Sequence, residues 1–152
     1  MVEEGALAPE FELVADDGTT VRLSDFRGSP VVLYFYPKDD TPGCTRQACE
    51  LRDAYGEYER RGAVILGVSP DDEGSHRRFK EKFALPFALL SDPDKEAAQA
   101  YDVWRERTVA GETSLGVVRS TFVIDPEGRV AKALYGVAPD GHSDTVLAAL
   151  PG

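Results

Sequence analysis

Short apolar runs alternate with longer stretches whose apolar residues recur every three or four positions, and this alternation predicts an α/β domain rather than separate blocks of strands and helices. Phe11–Val14 and Thr20–Leu23 flank Asp16-Asp17-Gly18, a turn signal between alternating apolar residues, and read as an N-terminal β-hairpin. Val31–Tyr36 is apolar almost throughout, the pattern of a central strand covered on both faces, and Pro37 ends its ladder because it lacks an amide hydrogen. From Cys44 to about Arg61 the pattern turns helical: Ala48, Leu51, Tyr55 and Tyr58 are spaced three or four apart, and Gly62 is placed to stop the helix. A second buried strand follows over Ala63–Val68, then a helix over Ser75–Phe83, a short strand at Phe87–Leu90 and a helix over Asp94–Tyr101. Arg105–Val117 has no clear period and contains two glycines, so it reads as a loop. Ser120–Ile124 and Val130–Leu134, joined through Asp125-Pro126-Glu127-Gly128, predict a second hairpin, and Ser143–Leu150 a closing helix.

No internal repeat or linker divides the pattern, and a chain of 152 residues is expected to form one domain over residues 1–152. A domain of this size buries roughly two thirds of its unfolded surface, so no disulfide staple is needed for stability. With 17 basic against 27 acidic residues the net charge is -10, which repels nucleic acid backbones and anionic membranes. Neither is an expected partner. The amino-terminal stretch Met1–Pro9 is acidic and has no apolar run long enough for a signal peptide or membrane span, so the chain reads as soluble and cytoplasmic. In a reducing compartment, two cysteines held close in sequence are more often catalytic, redox-sensing or metal-binding than a permanent bridge.

Those two cysteines carry the candidate chemistry. Cys44 falls where a strand and tight turn hand over to a helix, and Cys49 follows after four residues; as the only cysteines, they are the only possible intramolecular disulfide. A thiol with an ordinary pKa near 8.5 is only about 3% thiolate at pH 7, and the thiolate is the nucleophile. A helix start contributes at most about 2 kcal/mol towards ionisation, and Asp39, Asp40 and the acidic composition oppose it, so a cation is required. Complete ionisation raises the reactive population only about thirtyfold, far short of an enzymatic acceleration. The remainder must come from donors aimed at charge developing in the transition state. Thr41 can offer a hydroxyl in the same turn, Gly43 permits close backbone approach, and an arginine from a distant strand could supply fixed positive charge.

Pro37-x-x-x-Thr41-x-x-Cys44 resembles the active-site signature of the peroxiredoxins, and Lys38-Asp-Asp-Thr-Pro-Gly-Cys-Thr45 with Cys49 resembles their bacterioferritin comigratory protein (Q-type) subclass. The likeness extends through Gly5-x-x-Ala8-Pro9-x-Phe11, Leu23–Gly28, Gly67-Val-Ser-Pro-Asp71, Leu90-Ser-Asp92 and Arg119-Ser-Thr-Phe-Val-Ile-Asp125. It implies a thioredoxin-like fold, with a central mixed sheet flanked by helices, and reduction of hydrogen peroxide or organic hydroperoxides. It further implies that Cys44 is the peroxidatic cysteine, Cys49 the resolving cysteine, Thr41 a donor to the peroxide, Pro37 a wall beside the sulfenic acid, and Arg119 the guanidinium that polarises sulfur and peroxide. No cofactor or metal is implied, and the reductant is thioredoxin or a related dithiol. Gln47 departs from the glutamate usual at that position: its amide can keep a hydrogen bond to arginine but lacks the charge.

Five residues of α-helix advance about 7.5 Å and turn by about 140°, placing the Cα atoms of Cys44 and Cys49 roughly 8–9 Å apart. A disulfide tolerates at most about 7 Å, so joining the two requires the first turns of the helix to unwind or shift. Because both cysteines lie in one chain, turnover does not demand a dimer and a monomer is expected. His76 and His142 lie in or beside polar segments expected to be exposed, and neither has metal-ligand spacing to the cysteines. Trp104 and the tyrosines of the first helix are expected to pack. Two other readings of the residues stay open: a thiol-disulfide oxidoreductase, although Cys-x-x-Cys is absent, and a redox sensor, which would need no arginine held at the sulfur. A two-cysteine metal site lacks further ligands at useful spacing.

Overall fold

The computed structural model describes residues 1–150, Val109 by its backbone alone. Strands β1 (Glu12–Ala15) and β2 (Thr20–Arg22) form the expected amino-terminal hairpin, and β3 (Val31–Phe35) is the central strand. Helices α1 (Pro42–Asp53) and α2 (Tyr55–Arg60) follow, then β4 (Val64–Ser69), α3 (Glu73–Phe83), β5 (Ala88–Ser91) and α4 (Glu96–Ala100). The chain continues through β6 (Trp104–Val109), β7 (Glu112–Val117), β8 (Ser120–Ile124), β9 (Val130–Tyr135) and α5 (His142–Ala149). Seven strands form one mixed sheet in the order β2-β1-β5-β4-β3-β8-β9. Its centre, β3-β4-β5, is parallel, whereas β8 runs antiparallel to β3. A central mixed sheet flanked by helices is the thioredoxin-like arrangement that was expected.

The continuous apolar run of β3 is explained by its two covered faces, since alternate residues point to opposite sides of a sheet. Val31, Leu33 and Phe35 join a core with Leu66, Leu90, Tyr101 and Phe122, while Val32, Tyr34 and Tyr36 join a second core with Ile65, Leu89 and Val123. The second core is closed by Cys44, Ala48 and Leu51 of α1, Tyr58 of α2, Phe79 of α3 and Val146 of α5. Each large side chain so buried contributes about 1.5–3 kcal/mol, which fixes α1 against the sheet.

Three expectations are corrected. The helix expected over Cys44–Arg61 begins earlier, at Pro42, and breaks at Ala54 (φ -95°, ψ 4°) into α1 and α2. The segment read as a loop, Arg105–Val117, is the antiparallel hairpin β6-β7. Its turn is Ala110-Gly111, both at positive φ (53° and 82°), a two-residue hairpin turn; the strands are largely exposed on both faces, so no apolar alternation announced them. His76 and His142, expected at the surface, are 0% and 3% exposed. Trp104 and Tyr55 are partly buried against the cores and Tyr58 is fully buried. No helix among the described residues is long and apolar enough to cross a membrane.

Candidate active site

Chain direction places the cysteine. β3 delivers Pro37 at its carboxyl end, the loop Pro37–Asp40 turns, and α1 starts with Thr41 at its N-cap position, Pro42 at the first helical position and Cys44 in the first turn. The loop is held from beneath by Asp39. Its carboxylate accepts hydrogen bonds from Tyr36 Oη (2.5 Å) and Ser75 Oγ (2.8 Å) and meets His76 Nδ1 at 2.7 Å, while its own amide donates to Asp71 Oδ2 (2.8 Å). His76 Nε2 lies 3.0 Å from the Leu90 carbonyl oxygen. Asp39, expected to oppose a thiolate, is turned inward to these partners, and Asp40 pairs with Lys82 at 2.8 Å. Burial pushes the Tyr36 phenol well above its usual range, with Tyr34 and Asp39 adding, so Tyr36 stays a hydrogen-bond donor.

The cation comes from the other side of the sheet centre. Antiparallel pairing of β3 with β8 sets Phe35 opposite Ser120, so Arg119 stands just beyond the carboxyl end of β3. Its Nη2 donates to Cys44 Sγ at 3.3 Å and its Nη1 donates to Gln47 Oε1 at 2.5 Å, across 75 and 72 residues of sequence respectively. Cys44 is 1% exposed and a free thiol. The guanidinium thus presents fixed positive charge and a donor to the sulfur. Gly43 leaves room for this approach: a Cβ there would stand 3.2 Å from Arg119 Nη2, tight enough that the guanidinium would have to shift by a few tenths of an ångström.

The remaining expected residues lie on the loop before α1 and within that helix. Thr41 Oγ1 donates to the Lys38 carbonyl oxygen at 2.9 Å and does not cap α1, so its hydroxyl is tied within the loop. Pro37 is half-buried. Cys49 is a free, half-buried thiol inside the same uninterrupted helix as Cys44. Among the described residues no three His, Cys, Asp or Glu side chains converge as a metal site.

The pairing of four polar residues near the site escaped the sequence reading: Asp39 with His76 under the loop, and Thr121 with His142 behind Gln47. His142 Nε2 lies 2.5 Å from Thr121 Oγ1 and 3.4 Å from Gln47 Nε2. Burial, with the Arg119 charge assisting, pulls the His142 imidazole down to about 4. The signal for both histidines was spacing: His76 precedes Phe79 by three residues, and His142 precedes Val146 by four, so each lies on a buried helical stripe.

Residues 5–133 match the AhpC/TSA family. The chain belongs to that family. Peroxiredoxin Bcp of Bacillus subtilis is 48% identical over 98% of this chain and 95% of its own length, and peroxiredoxin Bcp of Escherichia coli 42% identical over 96% and 94%. A solved structure concerned with the alkyl peroxide reduction activity of Xanthomonas campestris bacterioferritin comigratory protein is 39% identical, covers 97% of this chain and 96% of that one, and superposes with a TM-score of 0.90. The protein is a Bcp-type peroxiredoxin, a thiol-dependent peroxidase with a peroxide substrate and a thiol reductant.

Proposed function

We propose that the protein reduces hydrogen peroxide and organic hydroperoxides at Cys44, and the contact of Arg119 Nη2 with Cys44 Sγ carries this reading. The thiolate lone pair of Cys44 attacks one peroxide oxygen, the O–O bond breaks, and the departing oxygen takes a proton to leave as water or an alcohol, while the sulfur becomes a sulfenic acid. Arg119, already donating to the sulfur, offers charge to the peroxide as it polarises; Thr41 turns its hydroxyl from Lys38 to the incoming oxygen; and Pro37 and Gly43 wall the approach. Cys49 then attacks the sulfenic sulfur, an S–S bond forms, the S–O bond breaks and water leaves. An external dithiol, thioredoxin or a relative, reduces the disulfide by exchange and is itself oxidised.

The whole cycle runs within one chain, which supports a monomeric, single-domain enzyme, and a reduced cysteine pair with a dithiol partner fits a cytoplasmic location. The test is one equivalent of hydrogen peroxide rapidly mixed with the reduced protein, followed by mass and rate. Cys44→Ser should consume no peroxide; Cys49→Ser should complete the first turnover, stop at the sulfenic acid and fail to recycle with thioredoxin. Unchanged initial consumption by Cys44→Ser would refute the assignment.

A further inference from the structure

Behind the sulfur runs a buried polar chain that the reaction above does not use. Arg119 Nη1 donates to Gln47 Oε1, Gln47 Nε2 faces His142 Nε2, and Thr121 Oγ1 lies against the same His142 nitrogen. Gln47 and Thr121 are 0% exposed. A carboxamide has one accepting and one donating end, so Gln47 can anchor Arg119 in only one of its two orientations. Rotated by half a turn, it would set its NH2 against the guanidinium, donor against donor. Oxygen and NH2 are nearly equal in size, so packing does not choose between the two orientations. The hydrogen-bonding groups at its two ends do, Arg119 at one and His142 at the other.

We propose that His142 is a positioning residue for peroxide reduction: its unprotonated Nε2 accepts from Gln47 Nε2, fixing the carboxamide oxygen on Arg119 and so aiming Arg119 at Cys44. This rests on the role given to Arg119 above. A neutral ring is what this place enforces, because burial and the nearby guanidinium both disfavour an imidazolium. With Nε2 accepting, the ring proton sits on Nδ1, which has no partner among the described residues. His142 borders a cavity of about 170 Å³ shared with Val137, Asp140 and Thr145, but Nδ1 itself is buried. Thr121 Oγ1, on β8, lies 2.5 Å from the same nitrogen, so an unprotonated Nε2 shares its single lone pair between this hydroxyl and the Gln47 amide at 3.4 Å. A glutamate at position 47 would need no such device, since both its oxygens accept.

The test compares first-turnover rates with stoichiometric hydrogen peroxide for the full chain, His142→Phe, His142→Gln, Gln47→Met and the Gln47→Met/His142→Phe double variant, with a melting curve for each. Losing one buried hydrogen bond should slow His142→Phe about tenfold. His142→Gln, whose side-chain oxygen can stand where Nε2 stood, should return to within about threefold of the parent rate. In the Gln47→Met background, His142→Phe should cost nothing further, because the anchor it orients is gone. Equal penalties in both backgrounds, or an unchanged rate in His142→Phe, would overturn the proposal. Should His142→Phe not fold, nitrogen NMR of the parent imidazole decides alone: a bare Nε2 at pH 7 supports the proposal and a protonated Nε2 overturns it. Arg119→Gln separates this inference from the one beneath it. If that change slows the reaction and His142→Phe does not, the role of His142 fails and that of Arg119 stands.

Discussion

Replacing Arg119 by glutamine tests how the guanidinium at 3.3 Å from Cys44 Sγ acts. It could act only by keeping the sulfur ionised, or it could also stabilise the transition state, and the two differ in size and in pH dependence. Ionisation can change the reactive population at pH 7 by no more than about thirtyfold, the ratio of full thiolate to the few per cent of an ordinary thiol. A donor aimed at charge developing during reaction is worth about 10²–10³ in rate. Arg119→Gln should therefore slow the first turnover by about 10³ or more at pH 7, and by about 10² at pH 9.5, where an ordinary thiol is ionised without help. The assay is rapid mixing of reduced protein with one equivalent of hydrogen peroxide at both pH values, with residual peroxide measured after quenching. Arg119 is only half-buried, so a melting curve near that of the parent should accompany the loss. Convergence of the two proteins to within about threefold at pH 9.5 would refute the argument and leave Arg119 a modifier of ionisation alone.

Gly43→Ala replaces the glycine at the second position of α1. The alanine Cβ would crowd Arg119 Nη2 at 3.2 Å and displace it from Cys44, slowing the first turnover several-fold, and a parent-like rate would show that the guanidinium tolerates the shift. His142 carries a pH signature, because its folded pKa of about 4 lies below the ordinary 6.5. The unfolded chain binds a proton as pH falls through 6.5 while the native chain does not until about 4, so stability is lost across that window, by about 2–3 kcal/mol, and is flat above it. His142→Gln should remove this part of the slope, read as the difference in urea unfolding free energy between pH 7 and pH 4.5, and identical slopes in the two proteins would contradict the shift.

The strands and helices that pack against the sheet were legible because burial imposes period: β3 as a continuous apolar run, and α1 through Ala48 and Leu51. The β6-β7 hairpin was not, because exposed strands carry no such period, and only the glycine of its turn marked it. Cys44 and Arg119 were legible from motif, but no local pattern brings residues 75 apart together; that required the antiparallel register of β3 with β8. The two histidines were misread for one shared reason. Polar residue types were taken as surface, whereas each is buried against a partner supplied by another element: Asp39 for His76, and Thr121 with Gln47 for His142. A buried polar residue is intelligible only as one of a pair, and a single sequence shows the pair only after the chain has been folded.

The proposed disulfide asks a preorganised site to come apart, and the construction of α1 limits what must move. The turn from Pro42 to Arg46 buries only Cys44, whereas Ala48 and Leu51, further along, are fixed in the core. The break at Ala54 separates α1 from α2, where Tyr58 is buried and bonded to Ser143, so unwinding at the start of α1 need not propagate past it. Closing the cysteines from roughly 8–9 Å to at most about 7 Å between Cα atoms calls for a shift of that first turn rather than loss of the helix. The hydrogen bond from Arg119 to the sulfur is one hold on that turn, beside the exposed pair of Arg46 with Asp140. A hydrogen bond from a cation to an ionised sulfur is worth about 1.5–3 kcal/mol, roughly twice a neutral one, so conversion of the thiolate to an uncharged sulfenic acid weakens this hold at the moment Cys49 needs access. The same contact that aligns Cys44 for attack thus becomes, once oxygen is transferred, the contact whose weakening lets the helix open.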